Sequence, residues 1–295
     1  LILIVGGSGF IGTKFYHYFK QNKVSVRGTY FSKVGGLNEE DRIYLDLKNV
    51  NIEEIKKLKN LGRIIFCHGI SGIEICRDKK DLSHAVNVIN TIALLKYCKD
   101  LNIMPIYLST SMVFDGESEL PVESDDLKPA SEYGKQKSEV ERFIINNFKK
   151  YIILRLTKVF GVEKHDNTLF TLWLDKLMNK EKIIAASDIF ISPVYVMDII
   201  EMAGFMIKNS NFGTYNLGGP EILRISDFAK RLAAFFRYDL TYIKELSIND
   251  FGFKERRPKF NSVDSVKIRS DSGIKLTAID DCFKLIASNY GISVH

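Results

Sequence analysis

The chain opens with Leu1-Ile2-Leu3-Ile4-Val5 and runs directly into Gly6-Gly7-Ser8-Gly9-Phe10-Ile11-Gly12. A buried apolar strand that ends in regularly spaced glycines and continues into a helix leaves few folds open. The first glycine permits a tight turn, and the second lets backbone N–H groups approach a pyrophosphate. The third lets the helix pack on the sheet with its positive end toward the phosphates. Such a turn can also serve packing alone, so its meaning depends on the residues further along the chain.

Strands and helices alternate through the first half, which is the pattern of a doubly wound, Rossmann-type α/β sheet. Helical stretches are expected over Phe10 to Asn22, Ile52 to Lys59, Asp81 to Asp100 and Ser131 to Asn147. The third of these carries an apolar stripe of Ala85, Val88, Ile89, Ile92 and Leu95. Strands are expected at Val24 to Thr29, Arg42 to Leu45, Arg63 to Cys67, Met104 to Leu108 and Tyr151 to Leu156. Beyond Gly161 the segments shorten: a helix over Thr168 to Asn179, a strand at Ile183-Ile184 and a helix after Pro193. A strand at Thr214 to Leu217 and a helix capped by Ser226 complete the pattern. These features predict a dinucleotide-binding domain over 1–160, with returning segments near 187–217. A smaller, interleaved substrate lobe would occupy 161–295.

The 42 basic and 36 acidic residues give a net charge of +6, and the bases are scattered and mostly lie beside acids. That distribution favours anionic small molecules over nucleic acid. Cys67, Cys76, Cys98 and Cys282 form no C-x-x-C pair, and the histidines show no metal-ligand spacing. Reduced thiols in a cytoplasmic protein and no metal site are the expectation. No apolar run approaches the roughly 20 residues of a membrane span. Because the chain starts inside a strand without a Met, a few leading residues are expected to precede it.

Tyr133-Gly134-Lys135-Gln136-Lys137 places a phenol and an ammonium four residues apart on one helical face. The ammonium is expected to stabilise the phenolate and to bring the tyrosine into the range of a general acid or base. Upstream, the strand ending Leu108-Ser109-Thr110-Ser111-Met112-Val113-Phe114-Asp115-Gly116 presents hydroxyls at the carboxyl edge of the sheet. Glycine turn, strand-end hydroxyl and Tyr-x-x-x-Lys occur in that order.

This order, with the glycine spacing G-x-x-G-x-x-G, resembles the extended short-chain dehydrogenases/reductases, and within them the dTDP-4-dehydrorhamnose reductase group. Ser138 and Glu141 continue the match, as do Ser192 to Val196 with Asp198, Gly213 to Gly219, and Arg257-Pro258. The resemblance implies Thr110, Tyr133 and Lys137 as the catalytic set, with Ser111 the nearest competitor of Thr110. Tyr133 would protonate the alkoxide, and Lys137 would hold the nicotinamide ribose. Where the group usually has Asp-Tyr, this chain has Ser111-Met112, which leaves the sugar open. The Asp-Glu pair of the dehydratases is missing.

For the cofactor, Tyr30-Phe31-Ser32-Lys33 follows the second strand without a carboxylate, which favours NADP(H) over NAD(H). The resemblance adds Gly6, Gly9, Phe10, Ile11, Gly12, Tyr30, Ser32 and Lys33 as cofactor contacts. Asp46 and Leu47 would lie beside the adenine; Gly69, Ile70 and Ser71 would line the cofactor loop. Asn87 would brace that loop. Ser111, Met112, Lys158 and Arg257 are the substrate-side candidates, with Arg256 a further cation; Trp173 is assigned to packing. The implied activity is reduction of a keto group on a nucleotide-activated sugar, by a homodimer paired through its fourth and fifth helices. Two alternatives share the residues: an NDP-sugar 4-epimerase with tightly held NAD, and a regulatory subunit like that of methionine adenosyltransferase.

Overall fold

The computed structural model describes residues 1–293. The chain divides into two compact units, one of Leu1–Phe114, Asp126–Arg155 and Ala203–Tyr215, the other of Asp115–Asp125, Leu156–Met202 and from Asn216 onward.

The first unit is organised on a seven-stranded sheet. Its strands are β1 (Ile2–Val5), β2 (Val26–Tyr30), β3 (Arg42–Tyr44), β4 (Arg63–Phe66), β5 (Met104–Thr110), β6 (Ile152–Leu156) and β7 (Gly213–Leu217). Their order is β7-β6-β5-β4-β1-β2-β3, and the pairs β1–β2, β1–β4, β2–β3 and β4–β5 are parallel. The order reverses at β1, the switch point where such sheets receive ligands at their carboxyl ends. Every residue of β1 is buried, as a central parallel strand covered on both faces requires. One core cluster joins Leu3, Val5, Ile64, Phe66, Leu94, Leu95, Val140, Ile144 and Ile153.

Helix α1 (Phe10–Gln21) buries Gly12, Phe15, Tyr16 and Phe19. After α2 (Ile73–Asp78), the helix expected over Asp81 to Asp100 is instead a chain of pieces: α3 (Lys80–His84), a π-helical turn at Ala85–Ile89, and α4 (Asn90–Asp100). The wider turn changes the helical phase. It turns Val86, Asn87 and Val88 inward, and leaves Ile89 56% exposed although the apolar stripe had placed it in the core. Helix α5 (Glu132–Asn147) begins where expected, with Ser131 accepting the Gly134 N–H at 3.1 Å. The helix expected over Ile52 to Lys59 shrinks to Glu53–Lys56.

The second unit has its own core, in which α6 (Leu169–Met178), α8 (Ile225–Phe235) and α9 (Ile279–Tyr290) pack Phe170, Trp173, Phe228 and Phe283 together. Helix α7 (Val196–Asn209) runs from this unit into the first. Trp173 stacks edge-on against Phe170 at 5.9 Å, the packing role expected of it. Ser226 is not the cap of α8. The helix starts at Ile225 with Arg224 at the cap position, and Ser226 is buried inside the first turn. Several two-residue strands of this unit, such as Phe190–Ile191 and Phe260–Asn261, are too short to leave an alternation in the sequence.

Candidate active site

The glycine turn is a tight, backbone-lined bend at the head of α1. Gly6 has φ +84°, and a Cβ on Gly12 would lie 2.2 Å from the Gly6 carbonyl oxygen, so helix and turn touch through backbone alone. Thr29 of β2 fastens the turn by accepting the Gly6 N–H at 2.9 Å. Helix α1 has Gly9 as its cap, with no side chain bonded to its first N–H groups and no acid in its first turn. Its dipole and first-turn amides therefore face an anion-binding position. Phe10 and Ile11 are half-buried in that turn.

The loop after β2 folds back on this turn, since a Cβ on Gly35 would meet the Ser8 carbonyl oxygen at 2.7 Å. Ser32 and Lys33 lie exposed in the same loop. Tyr30 packs edge-on against Tyr44 at 5.8 Å. Asp46 accepts the Lys48 N–H at 2.8 Å within its own turn, and the Leu47 carbonyl accepts from Asn90 at 2.8 Å.

Beyond β4, Gly69 has φ +148° and abuts Asn87, while Ser71 is exposed. Asn87, buried in the π turn, grips Ile70 twice: its Oδ1 accepts the Ile70 N–H at 2.8 Å and its Nδ2 donates to the Ile70 carbonyl at 2.9 Å. The same Nδ2 donates to Gln136 Oε1 at 2.8 Å. Gln136 in turn donates to Ser83 at 2.8 Å and to Glu132 at 3.3 Å. The loop after β4 is thereby tied to the helix that carries Tyr133. Gln136 was not among the residues singled out from the sequence. Its only signal was its place inside Tyr-x-x-x-Lys.

On α5, Lys137 is buried and donates from Nζ to the Leu108 carbonyl at 2.9 Å. Its ammonium lies 4.5 Å from the Tyr107 ring centre and 6.0 Å from that of Tyr133. Thr110, at the end of β5, accepts the Met112 N–H at 3.2 Å and caps the short turn Ser111–Val113. A Cβ on Gly134 would lie 2.1 Å from the Met112 carbonyl oxygen, so α5 begins in direct contact with that turn. The glycine within Tyr-x-x-x-Lys thus brings the strand-end hydroxyls to the tyrosine helix.

The electrostatics differ from the sequence expectation. Burial dominates at both groups: it raises the Tyr133 phenol well above its usual range, with the Cys76 thiol a smaller contribution in the same direction. Burial also lowers Lys137 to about 8, against the raising influence of Glu141, Cys67 and Cys76. The ammonium does not bring the phenol down to neutral pH. His68, beside this cluster, is pushed down to about 3 by burial and by Lys137, and is neutral at pH 7.

Lys158 and Arg257 belong to the second unit, where Lys158 is exposed and the Arg257 guanidinium stacks 4.1 Å over the Phe253 ring. Arg256 pairs with Glu117. Among the described residues, Cys67, Cys76, Cys98 and Cys282 form no disulfide. Among the described residues, no helix is long and apolar enough to cross a membrane.

A switch-point cradle, a strand-end threonine and a Tyr/Lys pair on the adjoining helix define a short-chain dehydrogenase/reductase. The family described as the RmlD substrate binding domain matches residues 1–290. The chain belongs to that family, the dTDP-4-dehydrorhamnose reductase-like branch of the extended short-chain dehydrogenases/reductases, and is an NAD(P)-dependent oxidoreductase. It is 23% identical over 288 residues to a probable low-salt glycan biosynthesis reductase of Haloferax volcanii, covering 94% of each chain. It is 26% identical over 265 residues to the methionine adenosyltransferase 2 subunit beta of Xenopus tropicalis, covering 86% of this chain and 77% of that one. The dTDP-4-dehydrorhamnose reductase of Bacillus anthracis, solved in complex with NADP, superposes with a TM-score of 0.82. There the identity is 21%, with 96% of each chain covered.

Proposed function

We propose that this protein is an NADP(H)-dependent reductase of a keto group on a nucleotide-activated deoxysugar, of the dTDP-4-keto-6-deoxyhexose type. The observation that carries the proposal is the contact of the Tyr133 helix with the Thr110 turn, where the half-buried Tyr133 phenol is held above its usual range by desolvation. The cradle suits a dinucleotide: glycine-lined, uncapped and free of acids, with Ser32 and Lys33 in the loop folded onto it. Those two side chains suit a 2′-phosphate. When bound, the nicotinamide supplies a hydride to the carbonyl carbon.

The chain's own residues do the rest. Tyr133 keeps its proton on Oη at neutral pH and gives it to the oxygen that becomes the alcohol. Thr110 uses a lone pair on the Met112 N–H and retains its hydroxyl hydrogen to donate to that same oxygen. Lys137, anchored on the Leu108 carbonyl, has further N–H donors for the ribose hydroxyls. Gly6, Gly9, Phe10, Ile11 and Gly12 receive the pyrophosphate. Asp46 and Leu47 flank the adenine, and Gly69, Ile70 and Ser71 border the nicotinamide side under the brace of Asn87. Ser111 and Met112 meet the sugar, and Lys158 and Arg257 the nucleotide diphosphate.

Substrate-dependent oxidation of NADPH is the test. An epimerase would instead copurify with oxidised NAD and show no net redox. A regulatory subunit would bind NADPH, turn nothing over, and be recovered with a catalytic partner. Sedimentation checks the homodimer expected through the fourth and fifth helices.

A further inference from the structure

The most deeply buried charges in the first unit belong to none of the groups assigned above. Glu141 has no exposed surface, and its carboxylate is held from two sides. Arg155 of β6, itself 3% exposed, donates from Nε at 3.0 Å and from Nη2 at 2.9 Å to Glu141 Oε2. The Ser109 hydroxyl donates to Oε1. A buried carboxylate held this way is costly to desolvate, and a well-packed apolar cluster would stabilise the unit at least as well. Stability alone gives a weak reason for the pair.

Its position gives a stronger one. Tyr133, Lys137 and Glu141 lie four residues apart along α5, on one face. Lys137 bonds the Leu108 carbonyl and Glu141 bonds the Ser109 hydroxyl, so successive turns of α5 hold successive residues of β5. The next residue of β5 is Thr110. We propose that Glu141 is a positioning residue for this site, holding the Thr110 end of β5 and setting a buried carboxylate one helical turn from Lys137. The inference rests on the reading of Thr110, Tyr133 and Lys137 given above.

The groups facing Lys137 are Cys67 and His68 after β4, Cys76 on α2, Tyr107 on β5, and Tyr133 and Glu141 on α5. Glu141 is the one carboxylate in that set, and its influence on Lys137 is to raise it. Without Glu141 the ammonium faces thiols, a neutral imidazole and phenols, with the Arg155 cation left behind.

The test tracks the titration of Lys137 by NMR of protein labelled at the lysine ε-carbon. The signal is assigned by its loss in Lys137→Met. Native protein is compared with Glu141→Gln and with Glu141→Gln/Arg155→Met, whose second change removes the stranded guanidinium and keeps volume. The inference predicts that the Lys137 midpoint falls by about one pH unit in Glu141→Gln, and falls in the double variant even where folding is recovered. Turnover at pH 8 then drops about fivefold through kcat, following the protonated fraction. A well-folded double variant with an unmoved midpoint overturns it. If the native protein fails to oxidise NADPH with a keto-sugar, the proposed function fails, while the NMR midpoint still decides the role of Glu141.

Discussion

Lys137 is buried and Tyr133 half-buried, and desolvation moves them in opposite directions: the phenol keeps its proton more firmly and the ammonium holds its proton less firmly. At neutral pH the pair therefore rests as phenol and ammonium, the state needed to donate a proton to a nascent alkoxide. Tyr133→Phe should lower kcat by about 10²–10⁴-fold while leaving NADPH affinity within a few-fold of native. Stopped-flow turnover and fluorescence titration measure the two. The pH dependence comes from Lys137. In the proposed reaction its working form is protonated, so reductase activity should be level from about pH 6 to 7 and fall as pH rises through about 8. A limb that stayed flat to pH 9.5 would place the Lys137 midpoint above the value set by its burial.

At the scale of elements, the cradle and the π turn carry the site. Gly12→Ala forces a methyl into the Gly6 carbonyl. Separation of α1 from the turn should cost about 2 kcal/mol or more of stability and weaken NADPH binding at least tenfold, read by denaturant titration and cofactor titration. Asn87→Ala strands the Ile70 N–H and carbonyl and frees Gln136, a loss of about 3 kcal/mol. Lys33→Ala should weaken NADPH binding about tenfold and leave NADH binding unchanged, the sign expected if this ammonium meets the 2′-phosphate. The elements themselves were legible in the sequence to different depths. Strand β1, the glycine turn and α5 each carry a local signal: a continuous apolar run, glycine spacing, and the Tyr133-x-x-x-Lys137 pair on one helical face. The π turn carries none, because the stripe from Ala85 to Leu95 reads as an ordinary helix. Only the structure shows the change of phase that exposes Ile89 and turns Asn87 inward. Glu53–Lys56 is shorter than its periodicity predicted, since a run of charged residues fixes no helix end.

For the whole molecule, the order of motifs along the chain conveyed more than any one of them. The alternation of strands and helices predicted a doubly wound sheet, and the strand order β7-β6-β5-β4-β1-β2-β3 agrees; the order of glycine turn, strand-end hydroxyl and Tyr-x-x-x-Lys pointed to the family. Long-range partners were hidden: the Arg155–Glu141 pair joins residues that nothing in the sequence marks as neighbours. So was the opposition between burial and charge at Lys137, which depends on packing from several elements. Because the cradle lies in the first unit, NADPH at a hundred times its Kd should stabilise that unit by about 2.7 kcal/mol. Its melting midpoint should rise by about 5 °C or more, with a smaller rise for NADH at the same concentration. Differential scanning fluorimetry reads both.

The most direct measurement is absorbance at 340 nm during reaction of NADPH with a dTDP-4-keto-6-deoxyhexose, with native protein and Tyr133→Phe side by side. Substrate-dependent loss of NADPH in the native protein, reduced by two or more orders of magnitude in the variant, is the predicted result. NADPH binding without turnover in the native protein, or equal turnover in both, would contradict it.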